Sequence, residues 1–378
     1  MKTEQSQWSA EKGWQPLPSA GSLNGAAQVV FLFGGAKLLK QSDCLKTARK
    51  TYPNAVLFGC STAGEIQGNH VSDETVALTA IAFEHTRVVA ARTRIESPAR
   101  SLEAGEQLAR QFDPRGLRHV FVLSEGLKVN ASELVDGMNS VLPSKATISG
   151  GCAGDGNRLQ NTYVWCDGEP EESAAVALGF YGDRLRVGVS AIGGWKPFGP
   201  DRLITKSKHN VLYEIDHRPA LALYKKYLGA FANELPASGL MFPLELRAGD
   251  QRVLRALIGI NEEEQSIIFA GNVPEGVYAR FMVGHIEDLI DGTRLAAGES
   301  LQSLAKIEPQ FSLLVSCNGR RYVLKQRIEE EVEAVREALG SRMVLTGFYS
   351  YGEIAPARSG GQCELHNETM TITSFSET

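Results

Sequence analysis

The sequence predicts an α/β protein of internally duplicated strand–helix–strand units, with two mixed β-sheets packed together and helices outside. Three observations carry that expectation. Short apolar runs alternate with stretches of helical periodicity along most of the chain. The same order of elements returns three times, within 28–94, 118–194 and 310–375. Two loops, "GCSTAGEI" (59–66) and "GFYSYGEI" (347–354), share G-x-x-x-x-G-E-I at the same place in that order, and "GGCAGDG" (150–156) keeps a Gly-Cys and an acidic residue after glycine.

The elements follow in order. Residues 1–26, rich in Ser, Gly, Pro and Gln, are expected as a flexible arm that Trp8 and Trp14 could pin to the body. "QVVFLFGG" (28–35) reads as a buried strand, and 36–53 as a helix closed by Pro53. "AVLFGCSTAGEI" is a strand entering the first glycine loop, and 75–94 gives two strands with a turn at 84–86. In the second copy, 118–126 is a strand and 130–143 a helix with Asn130 or Ser132 as N-cap. Its strand and glycine loop fall at 146–156, and 174–194 is a strand pair turning at "YGD". Residues 210–231 read as strand, turn and helix, followed by a hairpin around "NEEE"; a domain boundary belongs just before or within 195–215. The last copy opens with the strand 310–320 and the long charged helix 322–340. On that helix Val323, Ile328, Val332, Val335 and Leu339 form the apolar face, with Glu329 to Glu331 as a solvated face or a docking surface.

Bulk properties narrow the function. A chain of 378 residues suggests two domains, and 43% hydrophobic with 22% charged residues is ordinary for a soluble globular protein. A net charge of -5 without a basic run argues against nucleic-acid binding. The polar start is no signal peptide, and no apolar run is long enough to span a membrane. Six scattered cysteines without C-x-x-C read as reduced thiols, so a cytoplasmic location is expected.

The first glycine loop invites a phosphate-cradle reading, but "NHVSDETVALTAI" follows it as a strand, where a phosphate site needs a helix. Neither dinucleotide nor P-loop glycine spacing is present. The candidate ligand-binding residues are therefore Gly59, Cys60, Gly64, Glu65, Asp155, Tyr351, Gly352 and Glu353. Glu65 and Glu353 occupy equivalent places. They could cap their own turns, meet a ligand, or serve as an acid–base pair in a hydrolase-like enzyme. Cys60 and Cys152 sit where a nucleophile would, but nothing in the sequence places a base beside them.

"FGCSTAGEI", "GGWKPFGPDRLITKS" with "NVLYEIDHRPALALYKKYLG", "LPASGLMFPL", "TGFYSYGEIAP" and "CELHNETMTIT" together resemble the FIST family of bacterial sensory proteins. The resemblance implies a FIST N-like domain over 27–205 and a FIST C-like domain over 206–378. It implies a ligand-binding sensor, not an enzyme, regulating a histidine kinase or a diguanylate cyclase or phosphodiesterase, with a homodimer possible. Stand-alone members of this length resemble NosP-type nitric-oxide-sensing haem proteins, which implies non-covalent haem b held by one histidine. His366 is the first candidate, and His70 and His285 follow. A sensor for an amino acid or another metabolite, without haem, is the alternative.

Overall fold

The computed structural model describes residues 1–18, 21–41, 43–248, 251–358 and 360–378; Ser42, inside the expected first helix, and residues 19–20 of the expected arm lie outside them. The chain is α/β, and its described strands fall into four sheets where the sequence suggested two. Three have six strands each and share one plan. The first runs Val164–Cys166, Val56–Ser61, Val29–Gly34, Val76–Ala82, Lys2–Ser9 and Gly13–Gln15 in spatial order. The second runs Cys363–His366, Glu353–Pro356, Thr147–Cys152, Leu117–Ser124, Ala174–Tyr181 and Arg87–Arg94. The third runs Leu185–Ile192, Met370–Glu377, Phe311–Cys317, Val344–Ser350, Glu65–Gln67 and His70–Ser72.

Each of these sheets holds one pair of adjacent parallel strands, and helices join the two because a parallel pair needs a long crossover. The paired strands are central in the second and third sheets and one place off centre in the first. Their tight approach depends on glycine. A Cβ on Gly59, Gly150 or Gly347 would fall 1.8, 1.8 and 1.9 Å from the carbonyl oxygens of Leu32, Val122 and Leu314. That common requirement makes the three positions equivalent, so the fold is a threefold repeat.

The repeats are interlocked. The short segment after each central pair pairs with the neighbouring sheet: Glu65–Gln67 with Val344–Ser350, Glu353–Pro356 with Thr147–Cys152, and Val164–Cys166 with Val56–Ser61. Three equivalent backbone bonds close the ring, from Ala63 N–H to Tyr349 O (2.8 Å), Gly154 N–H to Ser61 O (2.9 Å) and Tyr351 N–H to Cys152 O (3.2 Å). The sheets' inner faces meet in one core, where Phe31 lies about 6 Å, centroid to centroid, from Phe33, Phe58, Phe121 and Phe311. Helices cover the outer faces in separate apolar clusters.

Three expectations are corrected. Residues 2–9 and 13–15 are not a flexible arm but paired strands, with Lys2–Ser9 antiparallel to Val76–Ala82. The Lys2–Ser9 strand has no apolar face to announce it; Gln5 instead reaches the Leu345 carbonyl at 2.9 Å, and Trp14 is buried. The long helix is broken into Asn318–Leu324 and Ile328–Leu339 by Lys325, whose φ of 51° is left-handed. Glu331 is no part of a solvated face: it is fully buried against Arg320.

The fourth sheet is an excursion between Leu185–Ile192 and the helix Ile286–Ser303, built on the long strand Lys196–Lys208. It has its own core around Tyr224 and Phe281 and touches the body through Trp195, Met282, Leu289 and Leu324. The third body sheet therefore takes strands from both sides of position 205. No described helix is long and apolar enough to cross a membrane.

Candidate functional site

The repeated glutamates complete their own turns. Glu65 accepts from the Thr62 hydroxyl and from Thr75, through its N–H at 3.0 Å and its hydroxyl at 2.7 Å. Glu353 accepts from Ser350 at 2.5 Å and from the N–H and hydroxyl of Thr369 at 3.1 and 3.0 Å. Burial outweighs those bonds and pushes both carboxyls up to about 7. The matching sequences "DETVALT" and "NETMTIT" carry the threonines, a signal that sequence reasoning passed over.

Gly59 is closed off by Leu32 and Trp165, and Cys60 lies in the phenylalanine core with its thiol pushed up by burial. Gly352 packs on Leu365 and Cys152. Asp155 receives the N–H groups of Leu159, Gln160 and Asn161 at 2.9–3.0 Å, and the Tyr351 hydroxyl. Burial pushes that carboxyl up, but these bonds prevail and hold it below the usual range. All six cysteines are buried. These eight candidates thus build the ring of turns, and none of them lines the cavity beside it.

The cavity, of about 750 Å³, opens where the repeats converge. The first contributes Ala63, Asp73 and Glu74; the second Gly156, Asn157 and Arg158; the third Asn318, Arg321, Tyr322 and Lys325. Phe231, Glu234 and Met241 of the excursion close the fourth side. Gly64, between Ala63 and Glu65, has a φ of 138°, and a Cβ there would fall 2.3 Å from Arg321 Nη1. Arg321 therefore owes its place to that glycine. It lies over the Tyr349 ring, 5.5 Å from its centroid, donates to the Ala63 carbonyl, and forms a two-pronged pair with Asp73. Arg158 pairs with Glu74 at 2.7 Å. Sequence reasoning missed these arginines because their significance comes from convergence of distant segments, not from local spacing.

Chemically the cavity is suited to binding. Its lining has three cations, three carboxylates and two partly exposed aromatic rings, and holds no serine, threonine, cysteine or histidine. The histidines lie elsewhere. His366 is buried, bonds through Nε2 to the Ala355 carbonyl at 3.1 Å, and is pushed down to about 4 by burial and by Arg255. His119, expected at a strand edge, is buried between Thr147, Ser149, Phe180 and Phe375. His70, exposed, faces Glu329 at 3.3 Å, and His285 is exposed at the start of the helix Ile286–Ser303. A haem needs an axial imidazole facing an open apolar slot. None of these candidates offers one, so haem does not fit them.

Comparison with known proteins follows the same lines. The FIST N domain model matches residues 28–218 and the FIST C domain model residues 220–356. No curated protein matches the chain. Among solved structures, a cyanuric acid hydrolase from A. caulinodans is 7% identical with a TM-score of 0.39, covering 99% of each chain. The two matching models together cover most of the chain, and the chain belongs to the FIST family of sensory, ligand-binding domains.

Proposed function

We propose that the protein is a sensor that binds a small polar metabolite in the cavity between the three repeats and the excursion, and signals by changing its fit to a partner protein. The observation that supports this most directly is the convergence of Arg158, Arg321 and Lys325, from two repeats, with Phe231 and Tyr322 at one cavity. A ligand there touches segments of both FIST domains at once, so binding energy can be spent on their relative placement. A histidine kinase or a cyclic-di-GMP enzyme is the partner class proposed with it. The metabolite reading takes precedence over haem and nitric oxide, because the cavity is polar and the histidines lie outside it.

Two measurements test the proposal. Thermal-shift screening against a metabolite library should find a ligand that at 100 Kd stabilises by about 2.7 kcal/mol, with the gain lost in Tyr322→Ala. A library without any stabilising compound counts against it. Protein purified after expression with haem precursor should show no Soret band; a Soret band that shifts on nitric oxide would restore the haem reading.

A further inference from the structure

The cavity's arginines are already occupied from within. The Arg321 side chain is 24% exposed, whereas its partner Asp73 is 62% exposed. Its two nitrogens meet the two Asp73 oxygens at 2.6 and 2.5 Å, a fork on a carboxylate. The next residue repeats the arrangement: Glu74, 49% exposed and held at a left-handed φ of 51°, meets Arg158. Two adjacent carboxylates on one turn thus neutralise arginines supplied by the other two repeats. Lys325 is the third cation of the lining.

We propose that the cavity takes a small dicarboxylate, whose carboxylates replace those of Asp73 and Glu74 on Arg321 and Arg158. The inference rests on the cavity being the ligand site and adds the ligand's class. Carboxylate chemistry is proposed because the Arg321 fork already holds a planar two-oxygen carboxylate in register, which an incoming carboxylate can replace in kind. Exchange is feasible because the Asp73 and Glu74 carboxylates are 62% and 49% exposed, and ion pairs with so exposed a partner contribute little to stability. Phe231 and Tyr322 supply apolar wall for the carbon chain between the carboxylates.

The displaced turn is wired to the rest of the molecule. Thr75, next in sequence, holds Glu65 through its N–H and hydroxyl. On the other side Val71 N–H and His70 meet Glu329 on the outer helix Ile328–Leu339. Release of Asp73 and Glu74 therefore bears on an exposed helix, where a partner could read it.

Calorimetric titration with succinate, with acetate as the single-carboxylate control, tests the exchange. Asp73→Asn keeps the side chain's shape and removes the competing charge, so it should bind succinate about tenfold tighter than the unmodified protein. Arg321→Gln should weaken succinate at least tenfold, with Arg321→Lys as a second variant if the first unfolds; acetate should bind more weakly throughout. Equal or weaker succinate binding by Asp73→Asn, unchanged binding by the Arg321 variants, or no binding by any form overturns the proposal. Stabilisation of the unmodified protein by some other metabolite, with succinate inert, overturns the dicarboxylate and leaves the sensor reading standing. A library without any ligand removes both.

Discussion

Glu331 stands in a run of three glutamates, yet it alone is buried. Its carboxylate takes Arg320 at 2.9 Å, Ser316 at 3.0 Å and the Tyr349 hydroxyl at 2.5 Å. Arg320 spends its remaining donors on the Gly193 and Leu289 carbonyls and on Thr293. A buried pair so fully bonded fixes one arrangement, and losing one partner strands the other charge. Glu331→Ala should therefore cost about 3–5 kcal/mol in urea unfolding, while Glu330→Ala, whose partner Arg327 is at the surface, should cost under about 1 kcal/mol. Similar losses in both would refute the distinction. The turn glutamates make a pH prediction. Burial raises Glu65 and Glu353 to about 7, above the roughly 4.3 of an unfolded glutamate. The native state then holds more protons between those values, so their contribution is complete below the lower one and is lost as pH rises through the higher. Against the unmodified protein, Glu65→Gln with Glu353→Gln should gain in relative stability from pH 4.5 to 7 and level off above. A relative stability flat across that range would contradict it.

At the scale of elements, the sequence was most legible where chemistry is local. The glycine turns, the strands entering them and the Asn130 cap, whose side chain accepts from Glu133 N–H at 3.2 Å, follow from short-range patterns. What could not be read was partner choice. "FEHTR" and "FYGDR" look like hairpin turns, yet Val76–Ala82 and Arg87–Arg94 lie in different sheets, as do Ala174–Tyr181 and Leu185–Ile192. Alternation tells which face of a strand is buried, not which strand lies beside it. The cavity was illegible for the same reason: Ala63, Arg158 and Arg321 meet only because the repeats interlock. Glycine requirements supply a paired test. Gly347→Ala puts a Cβ 1.9 Å from the Leu314 carbonyl, where neither strand can yield cheaply, and should cost about 1–3 kcal/mol or more. Gly298→Ala, inside the helix Ile286–Ser303 with open space around it, should stabilise by about 0.5–1 kcal/mol. Thermal unfolding should move the two variants in opposite directions; a Gly347→Ala protein as stable as the original would undo the equivalence of the three glycines.

The molecule as a whole is a ring in which each repeat finishes its neighbour's sheet, so stability is shared out by topology as much as by burial. Glu65–Gln67 crosses some 280 residues of sequence to pair with Val344–Ser350, and the Leu185–Ile192 strand is completed by Met370–Glu377 near the other end of the chain. Unit by unit, the sequence shows three similar patterns; closure into a ring is a property of none of them singly. The first strand is where this matters most. Lys2–Ser9 is polar, with only Ser6 buried, yet it pairs along its length with Val76–Ala82, whose Val76, Leu78 and Ala80 are all buried. Its work is to satisfy the backbone of that strand and to occupy a place that Arg87–Arg94 and Leu185–Ile192 hold in the other sheets. Removing residues 1–16 should leave the phenylalanine core present but convert Val76–Ala82 into an open apolar edge. The truncated protein should unfold at a lower temperature and associate with rising concentration in sedimentation velocity. An unchanged, concentration-independent species would mean that the ring does not depend on its first strand.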